Sequence, residues 1–284
     1  MILSKLRVFL ELIKFEHTAF ALPFAYLGLW AATGGRPGWR LFFWVSLAMF
    51  GARTAGMSLN RLADADIDRL NPRTRNRPLV AGRFTKKAAW TAAALAAGVF
   101  FGSAYALGPL CFGLSFAAVV LLGGYHFVKR FSWASHFVLG LVLAAAPMGG
   151  WIAARGSFGL PPSLLALAVL FWVAGFDILY ALQDEAFDRE HGLHSVPARF
   201  GTGRALKISA ACHATTMVFF AAFGVISGLG LVYWAGLAVV GGLLWAEHAL
   251  LSENDLSRLE TSFFTINGWI GILLFAFTFL ETFR

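Results

Sequence analysis

Long apolar runs dominate the chain, and its polar residues gather in the breaks between them. Nine stretches are long enough to cross a hydrocarbon core of about 30 Å as helices, at about 1.5 Å rise per residue. They cover roughly 17–34, 41–60, 87–106, 109–128, 133–154, 163–183, 205–226, 230–250 and 262–282. "GGRPG" (34–38), "GP" (108–109) and "GLPP" (159–162) punctuate them. No barrel-type alternation runs along these stretches, so helices must satisfy the backbone in lipid. The first sixteen residues, "MILSKLRVFLELIKFE", mix Lys5, Arg7, Glu11 and Lys14 with Leu, Ile and Phe. That pattern predicts an amphipathic helix on the membrane surface. No small-residue cleavage site follows a short apolar core, so it does not read as a cleaved leader. The expected fold class is an all-α membrane protein, a single transmembrane domain over 1–284.

Composition agrees. Of 284 residues, 58% are hydrophobic and 13% charged, against about 25% charged in a soluble domain. The net charge of +8 would suggest nucleic acid on a soluble protein, but its distribution explains it otherwise. With a cytoplasmic N-terminus, 18 of the 23 Lys and Arg fall on inside segments and 4 on outside segments, with Arg53 inside a span. This asymmetry predicts N-in, C-out in the inner membrane, and no nucleic-acid partner. Trp30, Trp39, Trp44, Trp133, Trp151 and Trp234 fall near span ends, as interfacial anchors do. Cys111 and Cys212 lie in apolar runs with no CxxC and read as reduced core residues. "GVFFG" (98–102) is a GxxxG that predicts close helix packing.

Two polar clusters break the pattern. In "LNRLADADIDRLNPRTRNRP" (59–78), Asn60, Asp64 and Asp68 are spaced i, i+4, i+8. On a helix they fall within about 80° and form one stripe, with Asp66 off that face. In "FDILYALQDEAFDREHGLHS" (176–195), Asp177, Asp184 and Asp188 fall within about 40°, with Tyr180 on a neighbouring strip. Both stripes begin at the cytoplasmic ends of spans, the second and the sixth, so they share a membrane depth and a side. Carboxylates at that depth are expensive and usually functional. The bland alternative is ion pairing with nearby arginines at a solvated helix end.

Five carboxylates facing one cavity repel and call for cations. Oxygen-only ligands without His or Cys favour Mg²⁺, which commonly bridges one or two carboxylates to substrate phosphates. Arg73, Arg75, Arg77, Lys129 and Arg130 are suited to the phosphate oxygens left over. A substrate with a diphosphate head and a membrane-soluble tail is an isoprenyl diphosphate. Loss of the diphosphate would leave an allylic cation for an electron-rich aromatic ring to capture.

These motifs resemble the UbiA superfamily of intramembrane aromatic prenyltransferases. The resemblance rests on "NRLADADID" (60–68), preceded by "RTAG" (53–56) and followed by "PRTRNRPL" (72–79), on "YHFVKR" (125–130), and on "DILYALQDEAFD" (177–188). It covers most of the chain in order. It implies nine transmembrane helices around a central cavity capped by cytoplasmic Asp-rich loops at 60–87 and 184–204. It implies polyprenyl transfer from a polyprenyl diphosphate to an aromatic acid of the 4-hydroxybenzoate type in quinone biosynthesis. Carried onto this chain, Asn60, Asp64 and Asp68 would hold one Mg²⁺, and Asp184 and Asp188 another. Arg73, Arg77, Lys129, Arg130 and His194 would contact the diphosphate. Asp177 and Tyr180 would serve the reacting end, and Lys14, His17 and Arg53 the acceptor.

Two departures bear on the acceptor and the phosphate. Family members acting on 4-hydroxybenzoate carry R-x-D-K-P near the first span, where this chain has "KFEHT" (14–18). The family's common Lys after the second motif appears as His194. "KFEHTAFALPFAY" and "LQDEAFDREHGLHSVPARFG" also resemble a menaquinone-linked subgroup, with a dihydroxynaphthoate acceptor. His191 and His194 lack the further His or Cys that zinc would want. His126, His136, His213 and His248 read as ordinary polar contacts, and Glu247 as buried in the eighth span. An ion-coupled transporter would also use intramembrane carboxylates, but here they cluster at one face beside arginines and not at the midplane.

Overall fold

The computed structural model describes residues 2–14 and 18–281. Helix α1 (Ile2–Ile13) precedes a run of long helices: α2 (Thr18–Thr33), α3 (Trp39–Leu70), α4 (Lys86–Leu107), α5 (Pro109–Val128), α6 (Ser135–Arg155) and α7 (Leu160–Ala181). A single 3-10 turn leads to the short helices α8 (Glu185–Glu190) and α9 (Val196–Phe200). Helices α10 (Thr202–Ile226) and α11 (Leu231–Ala249) follow, and a π-helical turn (Thr261–Ile266) opens into α12 (Asn267–Glu281). Among the described residues there is no β-strand, only an isolated bridge between Ser252 and Asp255. Among the described residues, six helices are long and apolar enough to cross a membrane by length and composition, and Ala21–Thr33 and Asn267–Glu281 are shorter apolar helices.

The punctuation acts as its chemistry requires. Thr85 caps α4 by accepting from the Ala88 N–H. Pro109 opens α5 at a position whose N–H has no helical partner. Helix α3 has 32 residues, about 48 Å at helical rise. That exceeds the hydrocarbon core, so its last turns reach beyond the core and carry the Asn60–Asp68 stripe.

Packing is backbone to backbone where small residues allow it. A Cβ at Gly28 of α2 would collide with the Pro147 carbonyl of α6, and one at Gly150 of α6 with the Ala25 carbonyl of α2. Such close approach holds helices together where lipid offers no hydrophobic driving force. Helix α10 is tied to α7 by Ser209 Oγ donating to Gly175 O (2.8 Å) and Thr216 Oγ1 to Ala168 O (3.2 Å). The expected GxxxG contact is absent: a Cβ at Gly98 or Gly102 would meet nothing within 4 Å, because both face outward from α4.

The two halves are filled differently. Phe24, Trp172, Phe176, Phe220, Phe223 and Tyr233 pack a dense aromatic core among α2, α7, α10 and α11. Helices α2 to α6 instead surround a cavity of about 350 Å³. Its wall is built largely of small and aliphatic residues, among them Ala25, Ala52, Gly56, Ala118, Ala146 and Gly150.

Helix α1 is more firmly seated than a surface helix. Leu12 and Ile13 are buried against Ala65, Leu79 and Ala89. Glu11 accepts two hydrogen bonds from Arg83, at 2.7 and 2.8 Å, and the Arg83 guanidinium holds the Glu11 carboxyl below its usual range.

Candidate active site

Three segments converge at the end of the bundle where α3, α5 and α7 finish. Helix α3 presents Asn60, Asp64 and Asp68, and both aspartates are buried. The turn after it ends the helix at Asn71-Pro72, since Pro72 cannot continue the hydrogen-bond ladder, and carries Arg73 and Arg77 back across the motif. Helix α5 delivers Lys129 at its C-terminal cap, and the end of α7 delivers Tyr180 and Asp184.

The predicted metal ligands and phosphate ligands meet as ion pairs. Lys129 Nζ donates to Asp64 Oδ2 at 2.9 Å. Arg77 donates to both oxygens of Asp68 at 2.7 Å. Arg73 grips Asp184 with two nitrogens and donates a third bond to the Tyr180 hydroxyl at 2.7 Å. Burial opposes the Arg73 charge, yet these bonds hold its guanidinium above the ordinary value. Asp188 is pushed the other way: burial raises its carboxyl and nearby Asp184 adds to this, against a hydrogen bond from Ser195.

These residues are suited to a hard divalent cation. The Asp64 Oδ1 atom is buried without a hydrogen-bond partner, while Oδ2 accepts from both Lys129 and Asn60. A buried, unpaired carboxylate oxygen is costly, and a cation would relieve it. The other donors of the two stripes are oxygens as well, as Mg²⁺ prefers. Yet among the described residues no three His, Cys, Asp or Glu are grouped to hold a metal. The carboxylates form separate half-sites, each held by a basic side chain.

The remaining candidates stand outside these ion pairs. Arg130 donates to the Ala63 carbonyl (2.7 Å) and covers the Phe127 ring, so it braces α3 and stands outside the ion-pair set. His194 is exposed, and its main-chain N–H bonds the Lys129 carbonyl at 2.7 Å. Asp177 lies deeper, paired with His136. Arg53 and Tyr125 line the cavity wall, about two turns below Asn60 and one turn below Lys129. Among the described lining residues Arg53 is the one bearing charge. Lys14 follows α1 with φ 50°, and His17 lies outside the described residues.

Sequence reasoning passed over four participants. Asn71 donates to Asp184 (2.9 Å) and accepts from the Arg73 N–H, which fixes the turn between the motifs. His126 bonds the Asn60 amide at 3.1 Å. His136 is the third. Arg61, one position after Asn60, is buried and donates to Leu12 O and Asn60 Oδ1, so it locks α1 to the motif helix. Asp66, off the stripe, is exposed, as is Arg69. The Asn-Pro helix stop was the readable signal for Asn71; the other three depend on contacts between distant segments.

A model of the UbiA prenyltransferase family matches residues 21–271. The chain belongs to this family. The enzyme is therefore a membrane prenyltransferase, and the transporter alternative falls away. It is 32% identical over 279 residues to 4-hydroxybenzoate octaprenyltransferase of Cupriavidus necator, with 97% of each chain covered. It is 31% identical to the enzyme of that name from Cupriavidus metallidurans, covering 98% of this chain and 95% of the relative. The apo structure of a UbiA homolog from Aeropyrum pernix K1 superposes with a TM-score of 0.86 at 36% identity, covering 94% of this chain and 98% of that one. A UbiA homolog from Archaeoglobus fulgidus, bound to GPP and Mg²⁺, shares the fold with a TM-score of 0.71 at 21% identity, covering 98% and 100% of the two chains.

Proposed function

We propose that this prenyltransferase moves a polyprenyl group from a polyprenyl diphosphate to the ring of 4-hydroxybenzoate, in the formation of a quinone. The observation that carries the reading is the meeting of Asp64, Asp68 and Asp184 with Lys129, Arg77 and Arg73 beside an apolar cavity. The diphosphate would lie among the ion pairs, and the prenyl tail in the cavity. Near-full-length relatives named for the 4-hydroxybenzoate reaction favour that acceptor over a dihydroxynaphthoate, despite the "KFEHT" departure.

In this reading Asn60, Asp64 and Asp68 hold one Mg²⁺, and Asp184 and Asp188 the other. Bound Mg²⁺ would supply charge neutralisation that makes diphosphate a better leaving group. Arg73, Arg77 and Lys129 exchange their carboxylate partners for phosphate oxygens. Tyr180, held by Arg73, and Asp177 face the reacting end, where negative charge and the phenol ring stabilise a developing allylic cation. Arg53 would pair with the acceptor carboxylate at the cavity wall, and Lys14 and His17 would serve the acceptor as well. Arg130 and His194 act through the loops they brace. The whole chain is one transmembrane domain of nine crossings, N-terminus inside, with the site facing the cytoplasm from the inner membrane. The charge asymmetry of the loops supports that orientation.

Purified enzyme supplied with geranyl diphosphate, Mg²⁺ and either 4-hydroxybenzoate or a dihydroxynaphthoate tests the acceptor. Prenylated 4-hydroxybenzoate is expected. Turnover of the naphthoate alone would transfer the enzyme to the menaquinone branch.

A further inference from the structure

We propose that His136 is a positioning residue that couples the reacting end of the site to the segment closing over its diphosphate end. This rests on the prenyl-transfer reading above. His136 opens α6 and is 3% exposed, and neither ring nitrogen is idle. The main-chain N–H of Val196 donates to Nε2 at 3.1 Å. Nε2 must therefore be an acceptor, which puts the ring proton on Nδ1. Nδ1 lies 2.7 Å from Asp177 Oδ2 and donates to it. One tautomer alone satisfies both bonds.

The two partners belong to different parts of the site. Asp177 sits on α7 with its side chain 26% exposed, fixed at one oxygen by the imidazole. Val196 is the first residue of α9 and anchors the end of the segment 188–196. That segment is fastened at two further points. Ser195 caps α9 by accepting from the Ala198 N–H. The His194 N–H bonds the carbonyl of Lys129, whose side chain pairs with Asp64. Without His136, Asp177 loses its orienting donor, and a buried Val196 N–H loses its acceptor.

Three variants separate the two tasks. In H136A both bonds go. In H136Q the amide can donate to Asp177 and accept from Val196. In V196P the N–H is lost, at the first turn of a helix where proline is favoured, and the buried Val196 side chain is exchanged for another apolar one. Hydrogen–deuterium exchange of the purified protein reads the tether without reference to activity. Amides of 188–200 are expected to exchange about fivefold faster or more in H136A and V196P, and near the wild-type rate in H136Q. In steady-state assays with geranyl diphosphate, H136A is expected to lose roughly 10- to 100-fold in kcat, the range for removing a group that orients site residues. V196P should chiefly raise the KM for the diphosphate, and H136Q should recover most of both. Unchanged exchange in both H136A and V196P would overturn the tether. Unchanged kcat in H136A, or a loss in H136Q as deep as in H136A, would overturn the positioning role. A wild-type enzyme that prenylates no aromatic acid would refute the functional reading alone, because the exchange data still decide the tether.

Discussion

Asp64 and Asp184 each occupy a basic side chain that the proposed reaction needs for phosphate. Asp64→Asn keeps the size of the side chain but gives up the charge that holds Lys129 and a cation. In Asp184→Asn, Arg73 loses its anchor. Either change is expected to lower kcat/KM by at least about 100-fold, since a lost charged group in a dry site is worth several kcal/mol. Protein yield and thermal midpoint should change little in comparison, and a fluorescence-based unfolding scan checks that. Arg53→Ala should act differently. It should raise the KM for the aromatic acid by roughly tenfold or more while leaving the KM for the diphosphate nearly unchanged. The Asn60–Asp68 stripe was legible from spacing, because i, i+4 and i+8 fix one face of the continuous α3; the second stripe was not, because α7 ends at Ala181 and Asp184 and Asp188 lie on the 3-10 turn and α8 that follow. Which base meets which acid was not legible either. Arg77 folds back on Asp68 while Arg73 crosses to Asp184, and that choice is made by the Asn71 turn. His136 looked like a routine polar contact because its partners lie 41 and 60 residues away.

Among the elements, α3 and α7 do most to shape the site. Each supplies one or two carboxylates, too few to hold a metal by themselves. Mg²⁺ usually keeps waters and binds through one or two carboxylates together with substrate phosphates. Binding of metal and diphosphate should therefore be strongly coupled. Calorimetry is expected to find weak Mg²⁺ binding to the free enzyme and at least about tenfold tighter binding with a non-hydrolysable diphosphate present, a reciprocal effect by linkage. Tight Mg²⁺ binding to the free protein would show that the half-sites close without substrate. Helix packing gives a separate prediction. Gly150→Val sets a side chain against the Ala25 carbonyl, and overpacking of this kind costs about 1–3 kcal/mol. A lower thermal midpoint should follow. Gly98→Val, facing outward, should be silent. Most span edges from hydropathy fall within about three residues of the helix ends, but α3 runs to Leu70 and not to 60, because its polar last turns continue the helix past the apolar run; GVFFG misled, because a GxxxG spacing carries no information about which face of α4 meets a neighbour.

Taken as a whole, the molecule pairs a solid half with a hollow one. Aromatic side chains fill the space among α7, α10 and α11, and small residues leave the cavity among α2 to α6. A large side chain set into that wall, as in Ala118→Phe, should shorten the prenyl chain accepted. Turnover of geranyl diphosphate would persist while that of long polyprenyl diphosphates falls. Membrane class, family and the Asp-rich end of the bundle were readable in the chain, since long apolar runs and the polar clusters that interrupt them are one-dimensional signals. The location of the cavity was not, because it depends on which small residues face each other across separate helices. The central claim is that the paired half-sites drive metal-dependent prenyl transfer. It is tested most directly by following prenylated 4-hydroxybenzoate formed by purified wild-type, Asp64→Asn and Asp184→Asn enzyme, with Mg²⁺ and with EDTA. The account predicts product from the wild type with Mg²⁺ alone, and almost none from the wild type in EDTA or from either variant. Undiminished product in EDTA, or from both variants, would contradict it.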